Sequence, residues 1–180
     1  MTNTVYILHG RDSSPQSRKC ELLAAAARRH GWKVVIPDYS QIPSADDRFK
    51  LFIDQHIDDE RPGRVMIVGS SMGAYVALAA SKKFKPDALL LLSPAVYLPG
   101  YALNEPTPHA ARSVVVHGWC DDVVPPSFVV RFADRYKCEL HLLDDIHDLS
   151  NSLPFIESLF IDMLDRLHPV SRLRRLAPTF

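Results

Sequence analysis

The chain has 180 residues, 47% of them apolar and 23% charged, a length and balance that fit one globular domain. Its 21 basic side chains are matched by 21 acidic ones, so no net field draws it to nucleic acid or to an anionic membrane. The three cysteines, Cys20, Cys120 and Cys138, are an odd number without metal-site spacing, which argues against a disulfide framework and for free thiols in a reducing compartment.

The chain enters a strand almost at once, at Val5–Leu8, with no basic stretch and apolar core of the kind a signal peptide carries. No apolar run approaches a membrane span, and the expected location is cytoplasmic. A helix is expected over 15–29, announced by Ser14-Pro15 as cap and first helical position and closed by His30-Gly31. Short apolar runs then alternate with amphipathic stretches: Val34–Ile36, a helix over 45–58, Val65–Val68, a helix over 72–84, Leu89–Leu92, Val114–Val116, a helix over 126–136, Leu140–Leu143 and a last helix over 153–167. In that last helix Phe155, Leu159, Ile161 or Met163, and Leu164 are read as the apolar face.

Near-continuous apolar runs rich in branched residues are what strands buried on both faces look like, the habit of a parallel sheet. Six strands alternating with helices predict a doubly wound α/β sheet, mainly parallel, with helices on both faces. One domain over 1–168 is expected, followed by a basic tail over 169–180 carrying Arg172, Arg174 and Arg175. Two connections are long, Asp38–Ala45 and Ser93–Ala111, the second with four prolines.

The chemistry is concentrated where strands end. Gly69-Ser70-Ser71-Met72-Gly73 sits between a buried strand and a helix, the setting in which Gly-x-Ser-x-Gly makes a tight turn that pushes a serine hydroxyl clear of the sheet. A serine hydroxyl needs a base, and the base an orienting acid. In an open α/β sheet these come from loops at the carboxyl ends of strands. The fifth strand ends in His117-Gly-Trp-Cys-Asp-Asp122, and the sixth is followed by Asp144-Asp-Ile-His147. Ser71 as nucleophile, Asp121 as orienting acid and His147 as base follow in the chain order that the serine hydrolases of this architecture require. His109, in the proline-rich loop, and His141, inside a strand, are weaker alternatives for the base. Asp122, expected at the surface or capping the helix near Pro126, and Asp145 are weaker alternatives for the acid. The amides of Met72 and Arg11 are the expected oxyanion donors, with Gly10 allowing close approach of the backbone.

Leu8-His-Gly-Arg-Asp-Ser-Ser-Pro15, the Gly69–Gly73 pentapeptide, Ser93-Pro94, His117-Gly-x-x-Asp121 with Val124-Pro125, and the late His147 together resemble the α/β-hydrolase superfamily. Within it the chain is similar to the small, capless bacterial serine esterases of the YqiA type, over roughly residues 1–168. The resemblance implies a Ser-Asp-His triad, no cofactor and hydrolysis of small-molecule carboxylic esters. It also implies that the two strands opening larger relatives are absent and that the six remaining strands lie in the order 2-1-3-4-5-6. Arg11, where an apolar residue or glycine is usual, and Asp148, where an aromatic or apolar residue is commoner, depart from the pattern and bear on the substrate pocket. The Arg11 side chain either favours an anionic substrate or turns to solvent. Cys120, beside the acid, reads as a small packed residue.

Residues 93–111 are too few for a lid domain, so Val96, Tyr97, Leu98, Tyr101 and Leu103 either line a shallow acyl site, with Tyr97, Leu98 and Tyr101 contacting substrate, or simply cover the sheet edge. A thioesterase with the same triad, and a binding protein that keeps the fold without turnover, are the competing functions.

Overall fold

The computed structural model describes residues 2–58 and 63–167; the expected basic tail, 169–180, lies outside them. Six strands form one sheet: β1 (Thr4–Leu8), β2 (Lys33–Val35), β3 (Val65–Ser70), β4 (Ala88–Leu92), β5 (Arg112–Gly118) and β6 (Glu139–Leu143). Every pairing is parallel and the order is β2-β1-β3-β4-β5-β6, as expected. Five helices connect them: α1 (Arg18–Arg29), α2 (Ala45–His56), α3 (Met72–Phe84), α4 (Pro126–Tyr136) and α5 (Leu153–Leu167).

The unbroken apolar runs have the cause inferred for them. Val5 and Ile7 face a core shared with α1 and α5, while Tyr6 and Leu8 face the other, shared with α2, α3 and α4. Met66 and Val68 divide from Ile67 in the same way, as do Leu90 and Leu92 from Leu89 and Leu91. No helix among the described residues is long and apolar enough to cross a membrane.

Two local readings change. Helix α1 begins at Arg18, not Pro15: Ser17 is the cap, its hydroxyl accepting from the Cys20 amide, and residues 14–17 close a separate turn through Ser17 N–H to the Ser14 carbonyl. The buried face of α5 is Leu153, Ile156, Phe160, Met163 and Leu164, whereas Phe155 is exposed and meets the His141 ring edge-on. Apolar residues stand nearly all round this helix, so spacing alone left its phase open.

The register sets the site. Ser70 pairs with Leu92, Leu92 with Val116, and Gly118, two residues further along β5, with Leu143. The segments leaving β3, β5 and β6 therefore emerge side by side along the carboxyl edge of the sheet, where a crevice forms in such folds.

Candidate active site

Ser71 bridges β3 and α3 with φ 53° and ψ −116°, a left-handed backbone that costs a non-glycine residue roughly 1–3 kcal/mol. Two glycines make the turn possible. A methyl on Gly73 would stand 2.0 Å from the Leu8 carbonyl oxygen, and one on Gly69 would stand 2.5 Å from Ala74 Cα. Helix α3 thus packs directly on β1 and β3, and Ser71 is fixed at its mouth. The Ser71 amide donates to the Leu92 carbonyl at 2.8 Å, tying the turn to β4.

The three residues expected to act together do meet. His147 Nε2 lies 2.9 Å from Ser71 Oγ, and His147 Nδ1 lies 2.7 Å from Asp121 Oδ2. A carboxylate can only accept, so Nδ1 carries the proton and Nε2 is left to accept from the serine hydroxyl. Asp121 is buried; its other oxygen accepts the Val123 and Val124 amides at 2.9 and 2.8 Å. Burial pushes its carboxyl up, but the His147 N–H and these two amides outweigh it and hold the group below the ordinary aspartate value.

The rival acids have other work or none. Asp145 accepts the Ile146 and Ser152 amides and the Asn151 side chain, which fixes the turn leading into α5. Asp122 is exposed, and α4 starts at Pro126 with no side-chain cap, so the capping role does not hold. His141 sits in β6 against Glu139, and His109 lies in the 93–111 loop, where its amide meets the Ser81 hydroxyl.

The amides of Met72, at the first turn of α3, and Arg11 donate to no group among the described residues. Gly10 brings the loop after β1 against Ser71, since a methyl there would touch Ser71 Cβ at 3.6 Å. A cleft of about 680 Å³ opens over these groups, within the usual range of small-molecule sites, lined by Ser71, His147, Gly10, Arg11, Leu98 and Tyr101 among others. Cys120 is exposed rather than packed.

Tyr97 is a correction: it does not line the cleft. Its φ of 58° turns it away, its hydroxyl donates to Glu105, and its ring packs on Phe128 and takes the Arg131 guanidinium at 4.4 Å. Val96 is fully buried and Leu103 is exposed, so of the expected apolar set only Leu98 and Tyr101 reach the cleft. Among the described residues no three His, Cys, Asp or Glu side chains are gathered as a metal site would need.

Four supporting residues had been given no role. Arg48, on α2, is 1% exposed and donates to the carbonyls of Ile42, His9, Gly10 and Arg11 at 2.6–3.3 Å. It occupies a core-facing position in the series Ala45, Arg48, Phe52, Ile53, and a charge at that spacing was the available signal. The buried His9 ring accepts the Tyr39 amide at Nε2 and donates from Nδ1 to the Gly10 carbonyl. Burial lowers its basicity, which keeps it neutral. The His117 ring, also buried, donates from Nε2 to the Val124 carbonyl, lies 3.4 Å from Asp121 Oδ2, and is likewise lowered by burial. The Ser93 hydroxyl donates to the His147 carbonyl at 2.9 Å.

Solved structures with the same fold are numerous. A protein from Xanthomonas campestris pv. campestris assigned to the α/β hydrolase superfamily is 26% identical, with a TM-score of 0.82 over 93% of this chain and 100% of that one. The mouse α/β hydrolase domain-containing protein 10 is 18% identical, with a TM-score of 0.75 over 92% and 90% of the two chains. A Xanthomonas campestris α/β serine hydrolase without a lid is 20% identical, with a TM-score of 0.67 over 93% and 83%. No curated protein shows significant sequence similarity. The fold is that of the α/β hydrolases, six parallel strands with helices on both faces. Over residues 3–121, a span that holds Ser71 and Asp121, the chain matches the uncharacterised protein family UPF0227, and it belongs to that family.

Proposed function

We propose that the chain is a serine hydrolase that cleaves carboxylic esters of small or medium acyl groups through Ser71, His147 and Asp121. One observation carries this reading: the continuous Ser71–His147–Asp121 hydrogen-bonded line, 2.9 and 2.7 Å, at the mouth of a cleft. Ser71 Oγ attacks the scissile carbonyl as His147 Nε2 takes its proton. Asp121 stabilises the imidazolium that results, and the carbonyl oxygen becomes an oxyanion held by the Met72 and Arg11 amides. Collapse expels the alcohol, protonated by His147, and leaves an acyl-enzyme. Water, deprotonated by the same histidine, then releases the acid. The three free cysteines support a reducing, cytoplasmic setting.

A fluorophosphonate should label the protein at Ser71, and Ser71→Ala should lose the label together with about 10⁴-fold or more of the ester hydrolysis rate. Retention of both by Ser71→Ala would falsify the mechanism. Residues 93–111 contain no helix or strand and offer no lid over the cleft. Short, water-soluble esters are therefore the expected substrates, without a rate jump at a lipid interface. Faster turnover of an emulsified long-chain triglyceride than of a short-chain aryl ester would overturn that expectation.

A further inference from the structure

The serine before the nucleophile carries a lysine. Lys19 Nζ donates to Ser70 Oγ at 3.3 Å, and both residues line the cleft beside Ser71. Lys19 stands in the first turn of α1, next to the buried Cys20, and is itself only partly accessible. Burial holds its ammonium below the ordinary lysine value, with Asp148 and Asp145 pulling the other way. Neither carboxylate forms an ion pair with it. Asp145 is engaged by the Ile146, Ser152 and Asn151 N–H groups, and Asp148 accepts the Ser150 amide. An ammonium has three N–H donors, and a single hydroxyl uses one of them.

A cation drawn partly out of bulk water, with the nearby carboxylates engaged by other donors, is poorly compensated, and a neutral ester entering the cleft would strip more water from it. An anion in the cleft reverses that sign. Arg11 and Arg18 add positive charge to the same lining, against Asp12 and Asp148. Ser70 and Ser71 are chain neighbours with Cα atoms about 3.8 Å apart, and both line the same cleft as Lys19, so an anion on Lys19 shares that cleft with the reacting carbon.

From this arrangement we infer that the preferred substrate is an anionic ester, its carboxylate seated on Lys19 a few bonds from the scissile carbonyl. The inference rests on Ser71 being the nucleophile, and it names the substrate class of that same site.

The test compares two pairs of probes, each a carboxylate with its neutral near-isostere. Monomethyl succinate and methyl levulinate place the group in the acyl part; acetoxyacetate and acetoxyacetone place it in the alcohol part. At least one pair should show a kcat/KM ratio of about tenfold or more in favour of the anion, the scale of a charge-assisted hydrogen bond. That ratio should collapse towards one in Lys19→Met and survive in Lys19→Arg. Being a ratio within one preparation, it is unaffected by partial loss of folded protein.

A wild-type ratio at or below one in both pairs overturns the proposal, as does a ratio that Lys19→Met leaves unchanged. Turnover of none of the four esters by protein whose Ser71 still takes the fluorophosphonate also overturns it, leaving the serine hydrolase intact. No turnover and no label together overturn the nucleophile assignment, and the substrate class with it.

Discussion

The turns after β3, β5 and β6 and the loop after β1 meet at one cleft, and they are held there by different means. The first set is fixed by close backbone packing. Gly69 and Gly73 let α3 sit directly on the strands, Asp121 takes the amides two and three residues on, and Gly118 packs so closely that a methyl there would stand 2.3 Å from the Asp145 carbonyl oxygen. The loop after β1 is fixed by buried polar side chains. Arg48, some 37 to 39 residues away in the chain, donates to three consecutive carbonyls, and the Tyr39 amide pins the His9 ring. A turn held by close backbone packing fails by steric conflict. A loop held by one buried cation fails when its carbonyls lose their donor. Ser71, His147 and Asp121 are thus held by many small constraints, and the loop carrying the Arg11 amide mainly by the buried Arg48 and His9 side chains.

The largest expected effect breaks the closely packed side without disturbing its shape. Asp121→Asn keeps the side-chain size but presents an amide to His147 Nδ1, which favours the wrong tautomer. It should lower kcat by about 10⁴. Asp122→Asn, one residue on and exposed, should change kcat little. Steady-state kinetics on the two variants side by side decide between them, and a near-normal kcat for Asp121→Asn would sink the assignment.

Breaking the side held by Arg48 should cost less activity and more stability. Arg48→Met leaves the His9, Gly10, Arg11 and Ile42 carbonyls without their shared donor, and should destabilise the fold by about 2–4 kcal/mol. If the Arg11 amide then shifts out of place, kcat should fall about 10²-fold, the order seen when one oxyanion donor is lost. Urea unfolding and kcat on the surviving folded fraction measure the two separately. An Arg48→Met protein with unaltered kcat would show that the loop after β1 does not depend on this side chain, and the contrast between the two regions would go.

The same division explains what could be read from the sequence. Strands covered on both faces write themselves as continuous apolar runs, so all six were legible, while their order was implied only by the resemblance to the α/β hydrolases. Ser71, Asp121 and His147 were legible because their chemistry demands particular residue types immediately after strand ends. Arg48 was not, because nothing in Asp46-Asp-Arg-Phe-Lys50 says that its guanidinium reaches a loop far back in the chain. Only its place on the apolar face of α2 gave a hint. The start of α1 was misplaced because Ser14 and Ser17 are both plausible caps, and a turn occupies the residues between them. Tyr97 was misassigned because composition cannot reveal a positive φ that swings a ring out of the cleft and onto α4.

The smallest effect compares the regions through their histidines. Among the described residues His9 and His117 are the two that are buried, one in each region, and burial lowers both below the ordinary histidine value. In the unfolded chain each titrates near about 6.5. As pH falls through that value the unfolded state takes up the proton and the folded state does not, so the unfolded state gains. Stability is therefore full above about 6.5 and declines towards the lowered folded values, by at most about 1.4 kcal/mol per pH unit for each histidine. The lowered carboxylates Asp121 and Asp145 act in the same direction, but only near and below about pH 4. The window between pH 6.5 and 5 thus belongs to the histidines. Thermal unfolding across it should show Tm falling with pH, and His9→Gln and His117→Gln should each flatten the slope whatever they do to Tm at pH 7. Each ring also faces a carboxylate that favours its protonated form, Asp38 4.0 Å from His9 Nε2 and Asp121 3.4 Å from His117 Nε2, and burial outweighs it in both. Equal slopes in the wild type and both variants would mean that neither buried ring is kept neutral by its surroundings.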